Sequence, residues 1–245
     1  MQQFIQAAKR LLRPIEEATG LRAARRNWMM RNSAQPAHLD PTSLADRFDK
    51  IYADGVWRHG MDDIPPSGHG SSLAATESLR ETLPNLLNTL NAEVLLDIGC
   101  GDQTWMREIS LNQRYIGLDI VPSLIAEHTR DLGDDRRSFA VADATVDDLP
   151  EADVVLCREV LFHLSFADIR LALANMLSKP RRFLVLTTDS IDINDEIRSG
   201  DYRQLNLRKR PFNFSAPDFS LADDAILPGR TLGVWAADRL KTWAG

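Results

Sequence analysis

The sequence predicts an α/β protein with a doubly wound, mostly parallel sheet, a late antiparallel edge hairpin and an N-terminal helical arm. Three observations predict it. From residue 92 onward, short apolar runs alternate with amphipathic stretches, the pattern of βαβ units in a sheet covered on both faces. The first of those runs passes directly into a Gly-x-Gly turn, Gly99-Cys100-Gly101. After residue 189 the chain turns polar and irregular before offering "FNFS" and "TLGVWAADRL" as late strands.

The elements follow in order. Residues 1 to 31 place Phe4, Ala8, Leu11, Leu12 and Ile15 at helical spacing, with Pro14 as a kink. Lys9, Arg10, Arg13, Arg22, Arg25, Arg26 and Arg31 outweigh Glu16 and Glu17 there. This basic arm reads either as a helix docked on the main domain or as a contact for an anionic membrane surface or partner protein. Residues 32 to 43 are a proline-rich linker, and a short helix, "LADRFDKIYAD", follows. The stretch 55 to 72 reads as a lid or binding loop, with Ser71 or Ser72 capping the helix "LAATESLRETLPNLLNTL". Strands are expected at 93–99, 115–120, 138–143, 152–159 and 181–188, and helices at 103–111, 122–131 and 166–178. The chain therefore divides into an arm, linker and lid over 1–91 and a core over 92–245, with a substrate-loop insertion at 189–214.

Composition narrows the function. Apolar residues at 44% and charged residues at 26% are ordinary for a globular protein. No apolar run approaches the ~20 residues needed to cross a bilayer, and the start "MQQFIQAAKRLLRP" is not a secretory signal. A cytoplasmic protein is expected. The net charge of -6 argues against a nucleic-acid partner. Cys100 and Cys157 each end an apolar run, outside any metal-ligand spacing, and read as reduced thiols.

The glycine turn invites a nucleotide-like ligand, but of a particular kind. Its sequence, Gly99-Cys100-Gly101-Asp102-Gln103-Thr104, lacks the third glycine of a dinucleotide fingerprint. Asp97 before the turn and Asp102 within it would repel a phosphate. Asp119, 22 residues after Asp97, ends the second strand, where an acid accepts hydrogen bonds from ribose hydroxyls. At the end of the third strand, Asp143 and the Ala144 N–H suit an adenine edge. Together these describe a nucleoside carrying positive charge instead of phosphates.

The ordered set "VLLDIGCGDQTWM", "YIGLDI", "VADAT" and "ADVVLCREVLFHL" resembles the class I S-adenosylmethionine-dependent methyltransferases over about residues 92 to 190. The resemblance implies a Rossmann-like core and S-adenosylmethionine as cofactor. It puts Gly99 and Gly101 against the methionine part, Asp97 near its ammonium group, Asp119 on the ribose, and Asp143 with Ala144 on the adenine. Cys100, Ile120 and Arg158 join them as cofactor-binding residues. Gln103 departs from the family, many members of which have a small residue there.

Methyl transfer needs an aligned nucleophile, and a base when that nucleophile is a hydroxyl or protonated amine. "CREVLFHLS" supplies Glu159 and His163, which at i and i+4 would share a helix face. His163 is expected to be a general base, or else a histidine packed beneath the loop. No Asn-Pro-Pro-Tyr-like tetrapeptide occurs, so small-molecule acceptors are favoured over nucleobases. Tyr202, Arg203 and Asn206, with Arg208 to Arg210 nearby, are substrate candidates for a sugar, glycan or natural-product intermediate. Tyr52, Trp57 and Trp105 are candidates to face a sulfonium. Asp189, Asp192, Asn194 and Asp195 could be arranged into a metal site but read as solvated polar residues of a loop, so no metal is expected. An N-methyltransferase and a non-catalytic S-adenosylmethionine-binding module remain alternatives, and the oligomeric state is open.

Overall fold

The computed structural model describes residues 36–40, 43–58 and 60–244, so the basic arm expected over residues 1–31 lies outside the described residues. Seven strands form one sheet: β1 (Val94–Ile98), β2 (Arg114–Asp119), β3 (Arg137–Val141), β4 (Val154–Cys157), β5 (Phe183–Thr188), β6 (Phe219–Ala222) and β7 (Thr231–Ala236). The helices are α1 (Leu44–Ala53), α2 (Glu77–Thr89), α3 (Pro122–Leu132), α4 (Phe166–Leu177) and α5 (Ala237–Ala244). The strand order is β3-β2-β1-β4-β5-β7-β6, with β1 to β5 parallel and β7 antiparallel to both β5 and β6.

Alternation along the buried strands feeds two cores, one on each face. Leu96, Ile98, Val155 and Cys157 pack with Phe48, Ile51, Leu173 and Met176 on one side. Leu95, Tyr115, Val154 and Leu156 pack with Leu79, Leu83 and Leu87 of α2 on the other. Because α1 contributes Phe48 and Ile51 to the first core, the region before the sheet is packed into the body. The chain runs outward from β1 through β2 to β3, then returns to place β4 on the other side of β1. That reversal opens a crevice beyond the carboxyl ends of β1 and β4, where ligands of such sheets bind.

Local chemistry sets the helix starts. Ser43 accepts from the Asp46 N–H at 3.1 Å ahead of α1, and Ser165 from the Asp168 N–H at 3.1 Å ahead of α4. Pro122 opens α3, where its missing N–H costs nothing. Among the described residues, no helix is long and apolar enough to cross a membrane.

Four expectations are corrected. The helix expected at 103–111 is reduced to a single 3-10 turn at Met106–Glu108, because Gln103 takes a left-handed φ of 59° that stops a helix from starting there. "FNFS" is not a strand. Asn213 at φ 54° breaks the extended run, Phe212 and Phe214 plug the core from a loop, and β6 begins at Phe219 instead. Ser72 does not cap α2: its hydroxyl accepts from the Ala75 N–H at 3.2 Å, closing a turn before the helix starts at Glu77. Glu159 and His163 do not share a helix face. Glu159 has a left-handed φ of 58°, and only a 3-10 turn, Leu161–His163, follows it.

Candidate active site

The crevice at the switch point encloses about 960 Å³ of empty space, open solvent at its mouth included. Its floor is the glycine turn. Gly99 and Gly101 have φ of 69° and 58°, conformations that L side chains rarely adopt. A Cβ on Gly99 would lie 2.3 Å from Val160 Cγ2, and one on Gly101 would lie 2.6 Å from Ser67 Oγ. Both positions are thus closed to larger residues on steric as well as conformational grounds.

The turn is held from several sides. The N–H groups of Gly99 and Cys100 both donate to the Leu118 carbonyl, at 2.8 and 2.9 Å. Asp119 accepts from the Gly101 and Val121 N–H groups at 3.0 and 3.1 Å, and His128 Nε2 lies 2.7 Å from the Gly101 carbonyl, which only accepts. Asp102, expected to repel a phosphate from within the turn, is spent on structure: its oxygens accept from the Ser67 and Thr104 N–H groups. Ser67 Oγ accepts in return from the Asp102 N–H at 2.9 Å and lies 2.8 Å from Tyr52 Oη. This latch ties the loop before α2 and helix α1 across the turn.

Asp97 and Asp119 are the two buried acids of the floor. Burial pushes Asp97 up to about 7; the hydrogen bond from Tyr115 opposes that rise and Asp119 adds to it. Burial also raises Asp119, against the backbone hydrogen bonds from Gly101 and Val121. Two desolvated carboxylates side by side favour a partner with positive charge or several hydroxyl donors. Ile120, Asp143 and Ala144 continue the wall, and Asp143 Oδ1 accepts from the Thr145 N–H and hydroxyl at 2.8 and 2.6 Å. Leu44, Phe48, Tyr52 and Trp57 roof the cleft.

At the opposite end, the segment after β4 presents Arg158, Glu159 and His163 to the cleft. Arg158 is buried and bidentate to Asp223 at 2.8 and 3.0 Å, donates to the Gly70 carbonyl at 2.9 Å, and lies over the Trp105 ring. Glu159 accepts from Arg230 Nη1 at 2.6 Å, and Arg230 Nε reaches Asp189 at 2.8 Å. His163 Nδ1 lies 2.9 Å from the Asp201 carbonyl. A carbonyl accepts only, so Nδ1 carries the proton and Nε2 the lone pair. Its ring centroid is 4.8 Å from that of Trp57. Burial pushes His163 down to about 4, outweighing the Asp201 bond.

The structure thus brings together Asp97, Gly99, Cys100, Gly101, Asp119, Ile120, Asp143, Ala144, Arg158, Glu159 and His163. Of the substrate candidates, Tyr202 is half exposed and packs beside His163 at 5.8 Å between centroids. Arg203 and Asn206 do not line the cleft; both are buried and donate to carbonyls, Arg203 to Leu164 and Asn206 to Ile191. Of the polar-loop acids, Asp189 is not solvated, since Arg230 holds it in the core. Arg230, Asp223 and Ser67 were missed from the sequence, because each acts on a partner at least 35 residues away and stands in no local pattern.

Residues 96–179 match the family described as methyltransferase domain. No curated protein matches the chain. Among solved structures, magnesium protoporphyrin IX methyltransferase from Synechocystis PCC 6803 shares the fold at a TM-score of 0.50 and 17% identity, over 83% of this chain and 99% of that one. The N-methyltransferase NodS from Bradyrhizobium japonicum WM9 aligns at 0.43 and 22% identity, over 59% of this chain and 72% of that one. A methyltransferase domain is thus matched over residues 96–179, the segment whose strand ends build the cleft, and the fold is one that a solved methyltransferase shares.

Proposed function

We propose that the enzyme O-methylates a small polar acceptor, of the sugar, glycan or natural-product type, with His163 receiving the hydroxyl proton. The observation that carries this reading is the fixed tautomer of His163, whose protonated Nδ1 is committed to Asp201 while the ring lines the cleft. A histidine pushed down to about 4 is neutral at physiological pH, which keeps Nε2 unprotonated while making it a weaker base than a free imidazole.

The residues fit the cosubstrate. Gly99 and Gly101 line the cleft with bare backbone, suited to close approach of the methionine part. Asp97 suits an ammonium group, Asp119 a pair of ribose hydroxyls, and Asp143 with Ala144 and Ile120 an adenine. When bound, S-adenosylmethionine supplies an electrophilic methyl group on a sulfonium. Arg230 holds Glu159, and Asp201 holds His163, so the acceptor end is preorganised.

An acceptor panel read by homocysteine release tests the class. For a hydroxyl acceptor, His163→Ala should lower kcat about a hundredfold or more while S-adenosylhomocysteine affinity is retained. A near-normal rate would remove His163 from proton transfer and favour an amine acceptor, which needs less help from a base.

A further inference from the structure

Gln103, the residue that departs from the family's small side chain, is the start of a buried chain under the cleft. Gln103, Tyr115 and Asp97 are 1%, 0% and 4% exposed. Gln103 Nε2 donates to the Cys100 carbonyl at 3.0 Å and to Tyr115 Oη at 2.7 Å; Tyr115 Oη donates to Asp97 Oδ2 at 2.7 Å. The direction of every bond is determined. The Cys100 carbonyl accepts only, so the amide nitrogen must face it, and the second amide proton goes to Tyr115. The tyrosine's single proton is then left for Asp97.

Local structure is shaped for this chain. The left-handed φ of Gln103 accompanies a side chain folded back under the turn. Gly117 stands opposite Asp97 in the β1–β2 register, and a Cβ there would lie 2.7 Å from Phe139 and 3.1 Å from the Tyr115 ring. The missing side chain opens the groove along which the ring reaches from the level of Leu95 to Asp97. Gln103 Oε1 is buried and accepts no hydrogen bond among the described residues. An unmet buried acceptor is unfavourable, so it is the nitrogen's two bonds that keep the amide in place.

We infer that Gln103 and Tyr115 are positioning residues for the methyl donor: they occupy Asp97 Oδ2 from below and leave Oδ1, at the cleft, to accept from the donor's ammonium group. This rests on the proposed role of Asp97. The surroundings agree with it. The groups acting on Asp97 are Tyr115 and Arg158, which favour its charged form, and Asp119, which disfavours it; Cys100 and Cys157 lie close by as raised, neutral thiols. Losing the Tyr115 bond would leave a proton, rather than a cationic ligand, as the carboxyl's easiest partner.

The test is calorimetry on the full chain with two probes, S-adenosylhomocysteine and 5′-deoxy-5′-methylthioadenosine, which lacks the amino-acid part. Tyr115→Phe should weaken S-adenosylhomocysteine about five- to thirtyfold and methylthioadenosine less than twofold. Gln103→Met, which keeps volume and removes both donors, should show the same selectivity and serves if Tyr115→Phe does not fold. Combining Tyr115→Phe with Asp97→Asn should add little to Asp97→Asn alone. Equal losses for both probes in Tyr115→Phe and Gln103→Met, or no loss, would overturn the positioning role while leaving Asp97 in place. No selective loss in Asp97→Asn would instead overturn the ammonium site itself.

Discussion

Replacing Arg230 by Met tests whether the acceptor end is held by buried charge. The Arg230 side chain is 4% exposed and pairs with Asp189, which is 0% exposed, and with Glu159, which is 16% exposed. Met matches the stem but supplies no positive charge and loses the guanidinium that lies over the Phe162 ring. Among the described residues, Asp189 would keep the Leu205 N–H, at 2.8 Å, and Glu159 the more distant Arg158, at 3.8 Å. Breaking one side of a buried pair costs roughly 3 to 5 kcal/mol, because an uncompensated charge stays behind. For a chain of this size each kcal/mol moves Tm by about 2 to 4 °C, so Tm should fall by roughly 6 to 20 °C. Urea unfolding should show a lower midpoint at unchanged m. The double variant Arg230→Met with Asp189→Leu should be less damaging than the sum of the two single changes. A loss under about 1 kcal/mol, the scale of an exposed pair, would refute the buried-charge argument.

Three further outcomes are expected. Gly101→Ala must place a side chain at φ 58° and 2.6 Å from Ser67 Oγ, and should cost about 1 to 3 kcal/mol while weakening S-adenosylhomocysteine, by melting and calorimetry. Asp119→Ala should weaken the same ligand by roughly 1 to 3 kcal/mol, and unchanged affinity would remove Asp119 from the site. With Asp97 pushed up to about 7, affinity for S-adenosylhomocysteine should rise by up to about tenfold per pH unit below 7 and level off above it, and Asp97→Asn should flatten the profile. The sign is opposite for folding without ligand. A carboxyl raised from 3.8 to about 7 contributes stability at acid pH that is lost as pH rises through 7, which pH-dependent urea unfolding of the free protein measures.

Much of the cleft floor was legible because it is local. Gly99, Gly101, Asp97, Asp119 and Asp143 sit at strand ends, and parallel strands deliver their carboxyl ends to one edge whatever their register. Apolar alternation likewise located β1 to β5 within two residues at either end. Three errors share a cause: Gln103, Glu159 and Asn213 are non-glycine residues in left-handed conformations, which pattern and propensity do not reveal. Gln103 was marked as a departure, but only the buried reach of its amide to Tyr115 shows what it does.

The amino-acid sequence by itself determined the parallel core and the acidic glycine turn, since each depends on residues near one another in the chain. Tertiary structure alone decided which acids are free. Asp102 is consumed by Ser67, Glu159 by Arg230, and Asp189 by the same arginine from 41 residues away. It also decided that His163 keeps its lone pair on Nε2 and that Asp97 rests on a tyrosine. Hydrogen bonding and desolvation depend on what lies within a few ångströms, and for these groups the decisive neighbours come from distant parts of the chain.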